Sequence, residues 1–355
     1  MALDNAALAA KISAGIAANA SAAGRPVTIM EVCGTHTMSI ARHGLRALLP
    51  ESIRLVSGPG CPVCVSSQTD IDRAAALAFT PGAVIAAFGD MLKVRGSSHS
   101  LESAKAAGAD VRIVYSPEDA AETARRNPSE NVIFIGAGFE TTAPAIAAAV
   151  LRAADAGINN FFVLPMLKLV PPALEALLSG PARIDGFLLP GHVSAVIGLE
   201  PYGILEGKVP AVVAGFEPLD ILHAVNRLAA KIAAADCSVE NCYPRAVRRE
   251  GNPRAVAVMR QVFEPARAEW RALGEMEMSG LVFRQQFRRF DAAEKFGVSV
   301  PRAREPQGCI CGLILTGRAA PRECPLFGKR CVPADAVGPC MVSSEGACAA
   351  AYHYG

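Results

Sequence analysis

Cysteine is the residue type whose number and spacing point most clearly to chemistry in this chain. The 355 residues include 11 cysteines, three of which lie near the N-terminus at Cys33, Cys61 and Cys64. Six more lie between Cys309 and Cys348. In a large chain kept in a reducing compartment, clustered thiols are more often metal, cluster or redox sites than disulfide frameworks. The distribution therefore predicts two separate sulfur-based centres.

The N-terminal thiols form two short motifs that follow predicted strands. Cys61 and Cys64 make a C-x-x-C motif, a spacing that allows a reducible disulfide, and a helix N-terminus beside it would lower the thiol pKa. Half of a zinc site or two structural thiols is the alternative. Cys33 and His36 could share a soft metal such as iron or act as nucleophile and base, or could be a buried thiol and a surface histidine. Because both motifs follow adjacent predicted strands, we expect the three thiols to meet at one sheet edge.

The C-terminal cysteines give the strongest signal for a bound inorganic group. Four thiolates on a loop-rich segment suit a [4Fe–4S] cluster or a zinc ion held by four cysteines, and their long spacings favour iron–sulfur. The predicted ligands are Cys311, Cys324, Cys331 and Cys348. Cys309 and Cys340 remain alternates, a nearby disulfide or inert thiols, and Cys237 and Cys242 are predicted to be structural.

Polar, glycine-rich loops follow several predicted strands and could carry further chemistry. The loop Gly136–Thr142 resembles a phosphate loop but lacks a lysine, so it is weak evidence for nucleotide binding. Glu140 within it could be an acid at the start of the next helix. Pro190–Ser194, which contains His192, is a similar loop. The plain alternative for each loop is a helix entry with a glycine turn and a Ser or Thr cap.

Continuous apolar runs alternate with helical stretches over the first 240 residues, which is typical of parallel sheets covered on both faces. We therefore predict an α/β fold with two Rossmann-like, doubly wound domains rather than one barrel, because Ser116–Asn131 is a charge-rich break. A C-terminal, loop-rich iron–sulfur domain follows, opening with a helix over Pro253–Leu273. The predicted domains are 1–125, 126–240 and 241–355. The predicted strands are Val27–Val32, Ile53–Ser57, Ala83–Phe88, Val111–Tyr115, Asn131–Gly136, Phe161–Leu164, Asp185–Leu189 and Pro210–Gly215.

Composition excludes several classes of protein. Lys plus Arg is 35 and Asp plus Glu is 33, so the net charge of +2 argues against a nucleic-acid or acidic-membrane binder. No apolar run reaches the roughly 18 residues that a membrane span requires. The N-terminus carries Asp4 early and no basic start, so it is a poor signal peptide. A cytoplasmic protein is expected.

Taken together and in order, the motifs resemble those of the HypD family of hydrogenase maturation factors. The resemblance runs from about Val27 to the C-terminus. Its motifs are MEVCGTHT (Met30–Thr37), GPGCPVC (Gly58–Cys64), FGDM (Phe88–Met91), GFETTAP (Gly138–Pro144), PGHVS (Pro190–Ser194), AGFEPLDIL (Ala214–Leu222), CPLFGKRC (Cys324–Cys331) and MVSSEGAC (Met341–Cys348).

The resemblance implies a scaffold and redox protein for building the Fe(CN)2CO group of [NiFe]-hydrogenases. Fe(II) with CN and CO ligands would be a transient cargo, bound with the HypC chaperone and given cyanide by HypE. Cys33 would hold the iron, and Cys61 and Cys64 would be a redox pair. The resemblance implies that the [4Fe–4S] ligands are Cys311, Cys324, Cys331 and Cys348, and that the central cleft is lined by Thr35, His36, Glu140, His192 and Glu217.

Two other functions fit the same residues. One is an iron–sulfur-dependent thiol–disulfide oxidoreductase acting on protein substrates, which would use Cys61 and Cys64 but would not need Cys33. The other is a zinc-stapled binding module without a redox role. The sequence predicts a maturation scaffold with redox activity and leaves open whether it turns over a substrate.

Overall fold

The computed structural model describes residues 2–301, 303 and 305–355, and it contains two parallel sheets flanked by helices. The strands are β1 (Val27–Glu31), β2 (Ile53–Ser57), β3 (Ala83–Ala87), β4 (Asp110–Ile113), β5 (Asn131–Gly138), β6 (Phe161–Leu167), β7 (Gly186–Pro190), β8 (Ala211–Ala214), β9 (Val239–Asn241), β10 (Phe263–Trp270) and β11 (Gly274–Phe283). The helices are α1 (Ala2–Ala22), α2 (Gly34–Arg42), α3 (Pro62–Val65), α4 (Gln68–Ala78), α5 (Gly89–Leu92), α6 (Leu101–Ala106), α7 (Pro117–Arg126), α8 (Ala143–Asp155), α9 (Val170–Leu178), α10 (Gly191–Ile197), α11 (Pro218–Ala233), α12 (Pro253–Val262), α13 (Ala292–Phe296), α14 (Cys311–Leu315), α15 (Pro339–Val342) and α16 (Ala347–Tyr354).

The two parallel sheets are interleaved along the chain. The five-stranded sheet has the order β2-β1-β7-β8-β9, and the four-stranded sheet has the order β4-β3-β5-β6. The chain therefore leaves the first sheet after β2, builds the second from β3 to β6, and returns for β7 to β9. The central strands are buried on both faces, which is why their sequences are continuous apolar runs rather than alternating ones.

All eight predicted strands are present, and the two-sheet α/β architecture is confirmed. The predicted boundary between residues 125 and 126 does not separate the two sheets. It lies between β4 and β5, which belong to the same four-stranded sheet. The charge-rich stretch is the helix α7, which buries Ala120, Ala121 and Ala124 and exposes its charged face. An amphipathic helix can have as many charges as a linker, which is why composition alone placed a boundary there.

The helix predicted over Pro253–Leu273 is wrong in its second half. Helix α12 ends at Val262, and β10 then pairs antiparallel with β11. Pro265 lacks the amide that a helix would need, and burial along β10 alternates in the manner of a strand. The strand pair carries Trp270, whose ring stacks on Phe139 of the loop after β5 at 6.0 Å.

The hairpin of β10 and β11 also fixes the C-x-x-C segment. Arg271, at the hairpin turn, is fully buried and donates from its amide to the carbonyl of Val65 at 2.9 Å. Its Nε donates to the carbonyl of Ser66 at 3.0 Å. Arg271 therefore supplies the hydrogen bonds that two backbone carbonyl groups at the end of α3 would otherwise lack. Among the described residues, no helix is both long and apolar enough to cross a bilayer.

A buried ion pair joins the loop after β6 to the first turn of α4. Lys168 Nζ lies 3.0 Å from Asp70 Oδ2, and the Lys168 side chain is only 4% exposed. Lys208 and Glu175 form a comparable pair at 3.5 Å, but both of their side chains are more than half exposed.

Replacing Lys168 with Met should lower the free energy of unfolding by about 3 kcal/mol, because it leaves the buried carboxylate of Asp70 without its main partner. Lys208→Met is the matched control and should cost less than about 1 kcal/mol, since exposed pairs contribute little. Urea denaturation of both variants measures the difference. Equal losses would show that burial of the Lys168 pair has no energetic consequence.

Candidate functional site

The loops after β1 and β2 touch at the carboxyl edge of the five-stranded sheet. The amide of Gly34 donates to the carbonyl of Gly60 at 2.9 Å. A Cβ atom on Gly60 would lie 2.2 Å from the backbone nitrogen of Cys33, so only glycine allows the two loops to come this close. The loop that carries Cys61 is thereby held against the loop that carries Cys33.

Cys33 is buried at the N-terminus of α2, with 8% of its surface exposed. Burial raises the pKa of its thiol to about 12, and the charges of Glu345 and Glu31 add to this shift. Hydrogen bonds from the backbone amides of His36 and Thr35 oppose it. The thiol therefore keeps its proton at neutral pH. Binding of a soft metal would release that proton, because only the thiolate is a ligand.

Glu31 is a buried acid beneath Cys33, and the motif analysis assigned it no role. Its Oε1 accepts a hydrogen bond from Thr37 Oγ1 at 2.6 Å, and its Oε2 accepts one from the amide of Cys33 at 3.4 Å. Burial raises the pKa of Glu31 to about 7, and hydrogen bonds from Thr37 and Ser57 oppose the shift. An acidic residue inside the otherwise apolar strand β1 was the sequence signal for it.

His36 is fully buried in the first turns of α2 and has a fixed tautomer. Its Nε2 lies 2.9 Å from the carbonyl oxygen of Gly215, and since a carbonyl can only accept, Nε2 carries the proton. Its Nδ1 is buried with no hydrogen-bond partner among the described residues. Burial lowers the pKa of His36 to about 4, so the ring is neutral and presents an available lone pair.

The remaining predicted cleft residues take different positions. His192 is exposed and stacks on Phe216 at 3.8 Å, while His36 contacts the same ring at 4.9 Å. Thr35 Oγ1 donates to Glu345 Oε1 at 2.8 Å, which brings the C-terminal tail to the Cys33 site. Glu217 lies outside this buried group, since its side chain is 79% exposed and faces Arg245.

Glu140 is buried at the carboxyl end of β5, but it does not start the next helix as predicted. Helix α8 begins three residues later, and Glu140 Oε1 instead accepts a hydrogen bond from the amide of Val170, the first residue of α9. Its Oε2 has no partner among the described residues. Burial raises the pKa of Glu140 to about 7. Burial raises the pKa of Tyr202, a hydrogen bond with Ser194 opposes the shift, and the nearby Glu140 and Cys33 add to it.

A second group of thiols continues from the C-x-x-C motif toward the C-terminal tail. Cys61 Sγ accepts a hydrogen bond from the amide of Cys64 at 3.2 Å. Cys64 is fully buried, its Sγ lies 3.9 Å from the carbonyl of Pro339, and it interacts with the thiol of Cys340. Cys340 Sγ in turn lies 2.7 Å from Cys311 Sγ. Burial raises the pKa of Cys64, so the predicted lowering of thiol pKa by the helix N-terminus does not prevail there.

The series ends at a small cavity lined by cysteines. Cys311 and Cys340 contribute to its wall together with Cys309, Cys324, Cys331 and Cys348, and the rest of the lining is mainly apolar: Ile314, Leu326, Phe327, Gly338 and Met341. A Cβ atom on Gly338 would lie 2.6 Å from Cys309 Sγ, so glycine makes room for that thiol. Among the described residues, no three His, Cys, Asp or Glu side chains converge as a single metal ion would require.

The cavity suits an iron–sulfur cluster in donor type and surroundings. Sulfur is the ligand that such clusters require, and apolar walls limit solvent access. The amide of Val337 donates to Cys331 Sγ at 3.3 Å, which is the type of hydrogen bond that tunes thiolate ligands. Burial raises the pKa of the Cys309 thiol to about 12, with nearby Cys311, Cys324 and Cys331 adding to the effect. A cationic iron group would relieve this crowding of thiols.

Comparison with known proteins assigns the family. Residues 7–355 match the model of the HypD family, described as a hydrogenase formation family. The chain belongs to the HypD family. It is 48% identical to the hydrogenase maturation factor HypD of Rhodobacter capsulatus over 340 residues, which cover 93% of this chain and 90% of the relative. It is 45% identical to HypD of Escherichia coli, again over 93% and 90% of the two chains. A putative hydrogenase expression/formation protein of Methanocaldococcus jannaschii is 43% identical over 92% of this chain and 91% of the relative.

Two cysteines of this HypD-family chain lie outside both sulfur groups. Cys242 Sγ lies 3.7 Å from Glu240 Oε1 at the edge of the five-stranded sheet, and Cys237 is half-buried nearby in sequence. Neither lines the cysteine cavity. The structural role expected of both therefore stays a prediction, and neither residue enters the chemistry proposed below.

Glu140→Gln should change how stability depends on pH. The folded state holds the Glu140 proton up to a pKa of about 7, whereas the unfolded carboxyl has its ordinary value of 4.5. The parent therefore loses stability as pH rises through this window, by about 3 kcal/mol. The variant lacks this loss, so its stability relative to the parent should rise by that amount from pH 4.5 to pH 8. Urea denaturation across this range tests it, with the exposed Glu175→Gln as control. A flat difference for Glu140→Gln would contradict the prediction.

Proposed function

We propose that this chain is a scaffold and redox protein for assembly of the Fe(CN)2CO group of [NiFe]-hydrogenase. In this proposal it binds iron together with HypC and receives cyanide from HypE. The observation that carries the proposal is the series of thiols that runs from the C-x-x-C motif through Cys340 and Cys311 to the cysteine cavity, with backbone packing at Gly60 holding this motif beside Cys33 in a chain of the HypD family. Family membership supports the coarser role in hydrogenase maturation.

Cys33 is the proposed ligand for the iron cargo. Low-spin Fe(II) with CO and cyanide is soft, so a thiolate suits it. The backbone amides at the start of α2 favour the thiolate once the proton leaves, and Glu31 holds the Cys33 backbone from below. His36, whose pKa burial lowers to about 4, keeps a neutral Nδ1 without a hydrogen-bond partner among the described residues, in the first turn of the same helix. With Cys33 only 8% exposed, a thiol of HypC would reach the iron from a single side.

Two adjacent thiol pairs are the proposed redox groups. Cys61 with Cys64 and Cys311 with Cys340 can each form a disulfide, and each such oxidation gives up two electrons and two protons. The second pair already has its sulfur atoms 2.7 Å apart, against about 2.05 Å in a disulfide. Both pairs are buried, which disfavours the alternative of an oxidoreductase for protein substrates, since such substrates must contact the attacking thiol.

The geometry alters the proposed ligand set of the [4Fe–4S] cluster. Cys311 Sγ contacts Cys340 Sγ, and we therefore assign Cys311 to a thiol pair rather than to the cluster. Cys309, which packs against Gly338, is then the fourth ligand beside Cys324, Cys331 and Cys348. We assign the cluster to Cys309, Cys324, Cys331 and Cys348 in place of the set that contains Cys311. A cluster bound there supplies single electrons at low potential. The chain's own contribution is to bury these ligands and to place a dithiol beside them.

Cys309→Ser should lower iron and acid-labile sulfide to well below four per chain after anaerobic purification, because it removes a ligand. Cys311→Ser should keep both near the parent content, because Cys311 belongs to the thiol pair. Metal analysis and the visible absorption of the cluster measure both variants. Loss of iron in Cys311→Ser with retention in Cys309→Ser would restore the original ligand set.

Cys33→Ala should abolish the CO and cyanide infrared bands of the chain copurified anaerobically with HypC, because the iron loses its thiolate on this side. The cluster iron should remain, since its ligands are distant in the chain. Cys237→Ala is the matched control and should retain the infrared bands. Persistence of the bands in Cys33→Ala would overturn the scaffold proposal.

A further inference from the structure

A second cavity, of about 380 Å³, lies between α2, β2 and α16, and no cysteine lines it. Its walls are mainly apolar and include Ile40, Leu55, Val56 and Ile314, with several alanines of α16. Tyr354 is at the rim and is 45% exposed. The volume lies in the range of small-molecule sites, which are typically apolar with a few placed polar groups.

Three arginines provide the charge of this cavity. Arg46, Arg54 and Arg322 line it, and no Asp or Glu side chain does. Among the residues that the structure describes, none of the three is within ion-pair distance of a carboxylate, although the charge of Arg46 acts on the buried Glu31. The three arginines are exposed to solvent, and the positive charge that they place around one mainly apolar cavity favours an anionic ligand.

We infer that this cavity binds an organic phosphate, with the phosphate on the arginines and an apolar or aromatic body on the opposite wall. A guanidinium group matches two phosphate oxygens at once, and a phosphate monoester carries a charge of about −2 at neutral pH, so it can pair with more than one arginine. Inorganic phosphate alone would leave the apolar wall uncovered. A neutral aromatic molecule would leave the arginines without a partner.

The position of the cavity links it to the Cys33 site without making it part of that site. Thr37 and Ser57 line the cavity, and Thr37 Oγ1 donates to Glu31, which accepts from the amide of Cys33. A bound phosphate would therefore lie near the hydroxyls of Thr37 and Ser57, and Ile314 lines both this cavity and the cysteine cavity. Binding does not require iron, HypC or any redox step, so it can succeed or fail independently of the proposed function.

Isothermal titration calorimetry on the full chain, at fixed ionic strength, tests this inference with phenyl phosphate, inorganic phosphate and phenol. Phenyl phosphate should bind at least about tenfold more tightly than either fragment, because only it meets both walls. Arg54→Gln and Arg322→Gln should each weaken its binding about tenfold, since each removes a charge-assisted contact. Arg254→Gln, an exposed arginine on α12, is the matched control and should leave the affinity unchanged.

Thermal unfolding of each variant checks that the fold is intact. No measurable binding of phenyl phosphate would overturn the inference. Equal affinity for phenyl phosphate and inorganic phosphate would also overturn it. So would a loss of affinity in Arg254→Gln as large as that in Arg54→Gln or Arg322→Gln. Either result would show a general response to positive charge rather than a specific binding site.

Discussion

The close contact between the loops after β1 and β2 is the constraint on which the rest of the site depends. Glycine at position 60 lets one backbone lie against the backbone of Cys33, and the next residues carry Cys61 and Cys64 into the interior. From there, contacts with Pro339 and Cys340 extend the thiol series to the tail. A side chain at position 60 would push the loops apart and break the series at its first step. The proposed iron ligand Cys33 and the proposed redox pair are thus joined by backbone packing rather than by a bond.

Burial is the second constraint, and it has a cost for every ionisable group in the site. It raises the pKa values of Glu31 and Glu140 to about 7 and that of Cys33 to about 12, and it lowers that of His36 to about 4. Cys33 and His36 are therefore neutral near physiological pH, whereas Glu31 and Glu140 titrate close to it. A largely dry site suits the proposed cargo, because Fe(II) with two cyanides and one CO has no net charge and gains its binding from the Cys33 thiolate rather than from ion pairs.

The elements were predictable from sequence where one physical rule decides them. Buried parallel strands must be apolar throughout, so all eight runs were recognisable, and loops at their carboxyl ends carried the motifs. Strand order was not predictable, because nothing local to Val27–Glu31 shows that its second neighbour is Gly186–Pro190. The choice between Cys309 and Cys311 could not be made from sequence for a similar reason. The two differ by one intervening residue, and only the position of Cys340 in space distinguishes them.

The C-terminal tail connects the two sulfur centres mechanically as well as chemically. Its segment from Cys340 to Cys348 begins at the thiol pair and ends at the cysteine cavity. Between these points, Ser343 Oγ donates to Asp90 and Glu345 accepts from Thr35 beside Cys33. This tail is loop-rich, and so small a unit depends on a staple for its order. A group bound by the thiols of this cavity would hold both ends of the segment that places Glu345 beside Cys33.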